Sequence, residues 1–552
     1  MDNLRLVLWA TLALTIWMSF QAWQKNFAPA SSQPVSEVTE NVGQAESNAV
    51  VMTDELPVLP DAPESETTNN QIVEVPVSVN RFIRVKTDVL DVKINLEGGD
   101  LQSAALPKYP LKKDEPDNPV RLLSPQRGNF FVFRTGVRAI GADAEPNHLA
   151  TYMAEKDEYI LPDGQDELFV TLRWSDQSGV KSEKIYRFTR GSYAIGYDQV
   201  IDNQSSEPYQ TISYTQLKRL YKPVERSMFD VDTYSFVGPV IFDGSKYEKY
   251  EATDLEEEPV SLDVNDGWIA SIQHHFLVAA VPDSGIKKYE ATYNGGDTLL
   301  SIVDSESVIT APGDTFVYES TLFVGPKLQA QLEQISDRLT LTVDYGLLTI
   351  LAQPLFWLLK TVYQFLGNWG WTIIIVTMLI KLAFYKLTEK SGRSMAKMRK
   401  LAPRLKSLQE RYKDDREALS RSMMDLYKTE KVNPAAGCWP MLVQIPFFIA
   451  FYWVLLESVE MRQAPFMLWI TDLSIRDPFF ILPLLMGAAM FFQQKLNPAP
   501  PDPMQAKVMQ FLPIVFTAMF AFFPAGLVLY WLTNSVLSMA QQWRINKMIG
   551  AD

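Results

Sequence analysis

The sequence predicts a polytopic α-helical membrane protein of six transmembrane helices, five of them forming a core, with a large outward-facing antiparallel β-sandwich. Three observations predict it. Separate hydrophobic runs stand at one end and through the last third of the chain. Residues 76–340 alternate apolar and polar side chains between turn clusters. Charge is polarised along the chain: residues 24–345 hold 28 Lys+Arg and 51 Asp+Glu, a net of −23, whereas residues 381–431 hold 15 against 7, a net of +8. Stretches charged so differently face different surroundings.

Residues 4–23, LRLVLWATLALTIWMSFQAW, carry one early charge, Arg5. Their length meets the ~20 residues a bilayer crossing requires. Ala28-Pro29-Ala30 resembles a signal-peptidase site. The run outlasts a ~7–15-residue signal core, however, and its basic flank is thin, so 1–23 reads as an uncleaved anchor. Residues 24–75, rich in Ser, Pro, Glu and Asn, read as a disordered acidic linker.

In 76–340, ELFVTLRWSD (167–176), SEKIYRFTRGSYAIGYDQVID (182–202) and DTFVYESTLFVG (314–325) have the period of two that half-buried strands need. Pro162-Asp163-Gly164 and Asn294-Gly295-Gly296-Asp297 punctuate them as turns. No helical period persists before about residue 326, and Glu256-Glu257-Glu258 reads as a solvated loop.

Residues 341–368, interrupted by Gln353, Pro354 and Lys360, read as an amphipathic helix lying in the interface. The five core runs fall at about 370–387, 437–457, 479–494, 508–523 and 524–541 within 369–552. By the positive-inside rule the basic segment 388–431 is cytoplasmic, as are both termini, and the β-domain lies outside. Within 391–431, Met395, Met398, Leu401, Leu405, Leu408 and Tyr412 recur every three or four residues. Leu419, Met423, Leu426 and Tyr427 resume the spacing, which predicts a hairpin of two helices. Its polar positions Arg399, Lys400, Arg404, Lys406, Arg411 and Lys413 form a cationic surface suited to an RNA-rich or acidic partner.

Lys381 stands inside the run TMLIKLAFYKLTEK. Counted from Leu387, it lies roughly 9 Å deep at 1.5 Å per residue. Snorkelling would carry its ammonium to the headgroups. The alternative is a wet cavity between helices, since lipid exposure of a charge costs at least ~2.5–3.5 kcal/mol. Thr377 lies one turn before it, and Gln444, Asn534, Ser535 and Ser538 interrupt other runs. Polar residues recurring on several spans favour a shared groove. No carboxylate stands within a span core, while Glu457 and Glu460 fall at the outer end. That pattern suits capture of acidic segments and argues against a sodium or proton carrier. A carrier would also show paired repeats. One cysteine, Cys438, excludes a disulfide within the chain. Three histidines and no HExxH, CxxC, Walker A or GxSxG sequence leave little basis for metal, cofactor or nucleophilic chemistry. A glycan-active β-domain would need paired carboxylates in a cleft, and the neighbours His274-His275 read more simply as part of a strand pair beside Trp268.

Several long runs resemble the Oxa/Alb/YidC family of membrane protein insertases in its long Gram-negative form. They are SMAKMRKLAPRLKSLQERYKDD (394–415), LYKTEKVNPAAGCWPMLVQIPFF (426–448), ESVEMRQAPFMLWITDLS (457–474), DPFFILPLLMGAAMFFQQKLNP (477–498) and FFPAGLVLYWLTN (522–534). TRGSYAIGYDQVIDNQ (189–204) resembles the family's periplasmic domain. The resemblance implies an inner-membrane, non-enzymatic insertase and folding chaperone without cofactor or metal, working alone or beside SecYEG and SecDF. It implies a periplasmic supersandwich and five conserved spans around a hydrophilic groove open to cytoplasm and lipid. Lys381 stands where the family usually has arginine; the lysine keeps the charge and loses the planar fork. The implied substrate path includes Phe448, Met486, Tyr530 and Trp531. Nascent membrane proteins, membrane lipids, and the ribosome or signal recognition machinery at the hairpin are the implied partners.

Overall fold

The computed structural model describes residues 56–57, 82–223, 235–336, 338–412, 415–430, 439–496 and 503–549. The expected anchor 1–23 lies outside them, as does the linker 24–75 apart from Leu56 and Pro57.

Strands fill the chain from Phe82 to Pro326 and form an 11-stranded and a 9-stranded sheet. Pairing is antiparallel except where Arg84–Lys86 meets Glu158–Ile160. The period of two is visible in Ala194–Asn203, where every second side chain is buried. That strand lies between Val180–Thr189 and Thr315–Pro326, with Ile195 opposite Phe188 and Leu322. The inward faces meet in a core that includes Phe133, Tyr186, Phe188, Trp268 and Phe323. Sandwich geometry needs this inward apolar, outward polar alternation. The run read as a solvated loop at Glu256–Glu258 instead ends a short helix, Ala252–Glu257, anchored by buried Ala252 and Leu255.

Among the cations buried in this domain, Lys184, Lys287 and Lys327, the deepest is Lys184. Lys184 is fully buried and its Nζ donates to Gly98 O and Thr135 O, both at 2.6 Å. Lys184 belongs to the 9-stranded sheet, Thr135 to a strand of the other and Gly98 to the turn between two of that sheet's strands, Asp91–Asn95 and Leu101–Pro110, so one ammonium ties the two layers.

The C-terminal half is helical. Helix α1 is Thr349–Leu366, α2 Trp369–Ala383, α3 Tyr385–Arg411, α4 Arg416–Thr429, α5 Trp439–Glu457, α6 Ile481–Leu496, α7 Pro503–Phe520 and α8 Ala525–Ile549. Helix α1 buries Ala352, Leu355, Phe356 and Leu359, a three-and-four spacing, against α2 and α5. Its other face leaves Ile350, Trp357 and Phe365 exposed. Leu401 and Leu405 of α3 pack on Met423, Leu426 and Tyr427 of α4, closing the hairpin predicted from their spacing.

The expected span 370–387 is not one straight helix. It bends by 65° at Phe384, and the chain continues as α3 into the hairpin. No single described helix is long and apolar enough to cross a membrane, while the bent pair Trp369–Ala383 and Tyr385–Ser394 meets that test together. Large apolar side chains nevertheless face outward, among them Leu382, Leu484, Phe492, Phe511 and Ile514. Outward apolar surface on this scale marks a contact with something other than water.

Lys184→Met should cost about 2–3 kcal/mol of β-domain stability, because two core carbonyls lose their donor. Burial holds the Lys184 ammonium near a pKa of 8, below its ordinary 10.5. The folded state therefore releases this proton at lower pH than the unfolded chain does. The group's contribution then rises as pH climbs between those two values, and Lys184→Met should abolish that rise. Thermal unfolding of the full chain across that pH window measures both effects.

Candidate functional site

Helix α2 is capped by Asn368, whose side chain accepts from Trp371 N, and ends at Ala383. Lys381 thus occupies its last turn, not the middle of a longer span. The helix dipole favours a cation in that turn. The side chain is 8% exposed, and Nζ donates to Ser538 Oγ of α8 at 2.7 Å. Ser538 in turn donates to Asn534 O at 2.7 Å. Among the described residues no carboxylate forms an ion pair with Lys381.

Around this ammonium lies a recess lined by Thr377, Ile380, Lys381 and Phe384 from α2 and its bend, Gln444 and Phe447 from α5, and Tyr530 and Asn534 from α8. Its free volume is about 10 Å³, the room of one water. The side chains are mixed: an ammonium, an amide pair and hydroxyls against aromatic walls. Such a recess can hold a water beside a fixed positive charge. Burial is tighter at Thr377, which is 2% exposed and whose hydroxyl donates to Ile373 O of its own helix at 2.6 Å.

Five of the eight groove residues expected from the sequence meet here: Thr377, Lys381, Gln444, Tyr530 and Asn534. Two adjoin them. Phe448 lies edge-on to Trp531, ring centroids 4.6 Å apart, and stacks on Tyr530 at 6.1 Å. Trp531 continues to Phe516 and Phe520 of α7, giving an aromatic wall across three helices. The eighth departs from expectation: Met486 does not line the recess and is fully buried in the core. Gly487 beside it explains the tight packing, since a Cβ there would fall 2.0 Å from Thr517 Oγ1 of α7. Sequence reasoning passed over Ile380, Phe384 and Phe447. Phe384 could not be placed because nothing local announces the bend.

Of the hairpin cations, Lys400, Arg404, Lys406 and Arg411 are exposed. Arg404 pairs with Glu430 across the hairpin at 2.6 Å. The side chain of Arg399 and all of Lys413 lie outside the described residues. Among the described residues no cluster of three His, Cys, Asp or Glu is placed to hold a metal.

At its far end α5 meets the β-domain. Ser235 donates to Glu457 Oε1 at 2.8 Å, and Arg462 donates to Pro110 O and Leu111 O at 2.9 and 3.1 Å. Nearby, Glu460 is half-buried, its Oε2 atom is enclosed without a hydrogen-bond partner, and desolvation pushes its carboxyl up to about 7.

An extramembrane β-sandwich seated on apolar-faced helices that enclose one buried cation defines a membrane protein built in two parts. Comparison with known proteins names the family. The model described as 60Kd inner membrane protein matches residues 361–552, and that described as YidC periplasmic domain matches 82–358. Membrane protein insertase YidC of Thioalkalivibrio sulfidiphilus strain HL-EbGR7 is 47% identical over 564 residues, covering 100% of this chain and 99% of that protein. Its counterpart from Methylococcus capsulatus strain Bath is 45% identical over 553 residues with the same coverage. A solved structure titled as an active YidC insertase with the first transmembrane domain resolved aligns at 19% identity over 84% of this chain and 92% of its own, with a TM-score of 0.37. The chain belongs to the YidC family of membrane protein insertases, inner-membrane proteins with a periplasmic domain and not enzymes.

A cysteine at Gln444, on the recess, should react with a polar thiol reagent supplied from the hairpin side, in a Cys438→Ser background. A cysteine at Phe451, which is fully buried against Tyr530, should stay unreacted. Equal labelling at both sites would mean that the recess is no more open to water than the core.

Proposed function

We propose that this chain inserts newly made membrane proteins through the recess at Lys381, which acts as the inner end of a cationic groove open to cytoplasm and lipid. The carrying observation is the Lys381 ammonium, held by Ser538 in a polar recess and matched by no carboxylate among the described residues. A fixed positive charge with spare capacity draws acidic or polar peptide toward it. The passenger's apolar segment then leaves along the aromatic wall of Phe448, Tyr530 and Trp531 into lipid. Broad aromatic surfaces accept helices of varied sequence. Burial of the passenger helix drives the process. The membrane potential adds about 2.3 kcal/mol per charge per 100 mV for acidic segments moving outward.

In this reading six spans cross the inner membrane, both termini and the hairpin 391–431 are cytoplasmic, and the β-domain is periplasmic. Charge supports that orientation, with net +8 on the hairpin side. So does geometry, since the β-domain meets the end of α5 remote from the hairpin. Helix α6, at 16 residues, spans roughly 24 Å at 1.5 Å per residue and would thin the bilayer beside the recess. Helix α1 lies in the interface. Lys400, Arg404, Lys406 and Arg411 contact the ribosome or signal recognition machinery, and the protein also acts as a folding chaperone beside SecYEG and SecDF. Family resemblance and the exposed hairpin charge support these partners. A proton or sodium carrier would need an intramembrane carboxylate, whereas Glu457 sits at the end of α5 bonded to Ser235.

Lys381→Ala should reduce insertion of passengers with acidic translocated segments by roughly tenfold, the worth of one charge-assisted contact. Lys381→Arg should preserve it, and Lys381→Glu should abolish it. In-vesicle insertion of acidic and neutral passengers measures the difference; full insertion by Lys381→Glu would remove the electrostatic step.

A further inference from the structure

The neighbours His274 and His275 form the turn between the strands Trp268–Ile272 and Phe276–Pro282. Gln273 N donates to Phe276 O at 2.8 Å and closes that turn. The two imidazoles stack, centroids 3.8 Å apart and planes 21° from parallel. Both Nε2 atoms lie 2.9 Å from one acceptor, the carbonyl oxygen of Leu456. Leu456 is the next-to-last residue of α5, where helix carbonyls have outrun the helix's own donors. A carbonyl oxygen has two lone pairs, and here two Nε2–H groups fill both. His275 is 9% exposed, and its own carbonyl accepts from Lys327 N at 2.9 Å, so the turn is held from behind.

Helix α5 is also the helix that brings Gln444 and Phe448 to the recess. From Leu456 to Phe448 is about 12 Å along the axis at 1.5 Å per residue. A helix transmits rotation and sliding over that distance with little loss, so whatever fixes its last carbonyl also fixes the depth of Phe448. We infer that His274 and His275 are positioning residues for insertion: a C-terminal cap, supplied by the β-domain, that sets the rotation and depth of α5 at the recess. This deepens the proposed function and rests on it for the role of the recess. It also gives the β-domain a mechanical part in the reaction, and any partner that moves the turn at 273–275 would move the groove wall.

The test uses the full chain in vesicles, with Cys438→Ser and nitroxide labels at Ile286→Cys, exposed on the β-domain, and Ile449→Cys, exposed on α5. The starting protein should give one narrow distance distribution. His274→Ala/His275→Ala should broaden and displace it, and should slow insertion roughly tenfold, the worth of two neutral hydrogen bonds. His274→Gln/His275→Gln, which keeps a side-chain N–H donor at each position, should restore both readings. Each single alanine variant should fall between, since one donor remains. Protease resistance of the β-domain shows that each variant folds. An unchanged distance in the double alanine variant overturns the proposal, as does normal insertion despite a changed distance. Failure of the glutamine pair to rescue overturns it too, because the imidazoles would then act by bulk alone. Full insertion by Lys381→Glu with normal distances would instead sink the groove reading and leave this one standing.

Discussion

The helical half is organised around a single constraint: one ammonium, at Lys381, has to be kept between apolar helices with no counter-charge among the described residues. Placing a cation in a bilayer core costs at least ~2.5–3.5 kcal/mol. Three features offset that. The last turn of α2 presents carbonyls worth about 0.3–1 kcal/mol to a cation. Ser538 supplies a hydrogen bond to a charged donor, worth roughly 1.5–3 kcal/mol. The recess has room for a water. The cost and the offsets are of one size, so the charge is tolerated and not neutralised. A carboxylate beside it would stabilise the site more and spend the charge that the proposed function needs.

The β-domain solves a similar problem in a different way. Lys184 is also a buried cation, but its neighbours are two backbone carbonyls, of the turn residue Gly98 and the strand residue Thr135, set between the two sheets. There the charge is structural and its bonds are full. At the junction of the two halves the polar groups are shared out in the same economical manner. Leu456 O takes two imidazoles, Glu457 takes Ser235, and Arg462 takes two carbonyls of the strand hairpin. The C-terminal end of α5 is thus tied to the β-domain while Gln444 near its other end faces the recess. A rigid mount at one end and a polar gap at the other are what the proposed groove wall requires.

Much of this was legible in the sequence, for identifiable reasons. Alternation in 194–203 shows because strand faces differ in burial at every step. The stripe Leu401, Leu405, Met423, Leu426 shows because a hairpin buries one narrow face of each helix. Lys381, Gln444 and Asn534 stand out because polar residues are rare in apolar runs. The bend at Phe384 does not show, since neither proline nor glycine marks it. That bend moves Lys381 from mid-span to a helix end, which changes why the charge is tolerated. Met486 misled for a different reason: methionine suits a lipid-facing path and a packed core equally. Thr377 shares the recess but spends its hydroxyl on its own helix, a choice that spacing alone does not reveal. His274-His275 read as part of a strand pair because their acceptor lies 182 and 181 residues away in another domain.

The most direct measurement is photocrosslinking from Gln444, Phe448 and Trp531, one probe at a time, to a ribosome-stalled nascent membrane protein. The account predicts crosslinks from all three. The Gln444 probe should catch the polar translocating segment early, and the Phe448 and Trp531 probes should catch the apolar helix as it leaves. Silence at all three, alongside strong crosslinking from lipid-facing controls such as Phe511, would mean that passengers do not pass through the recess.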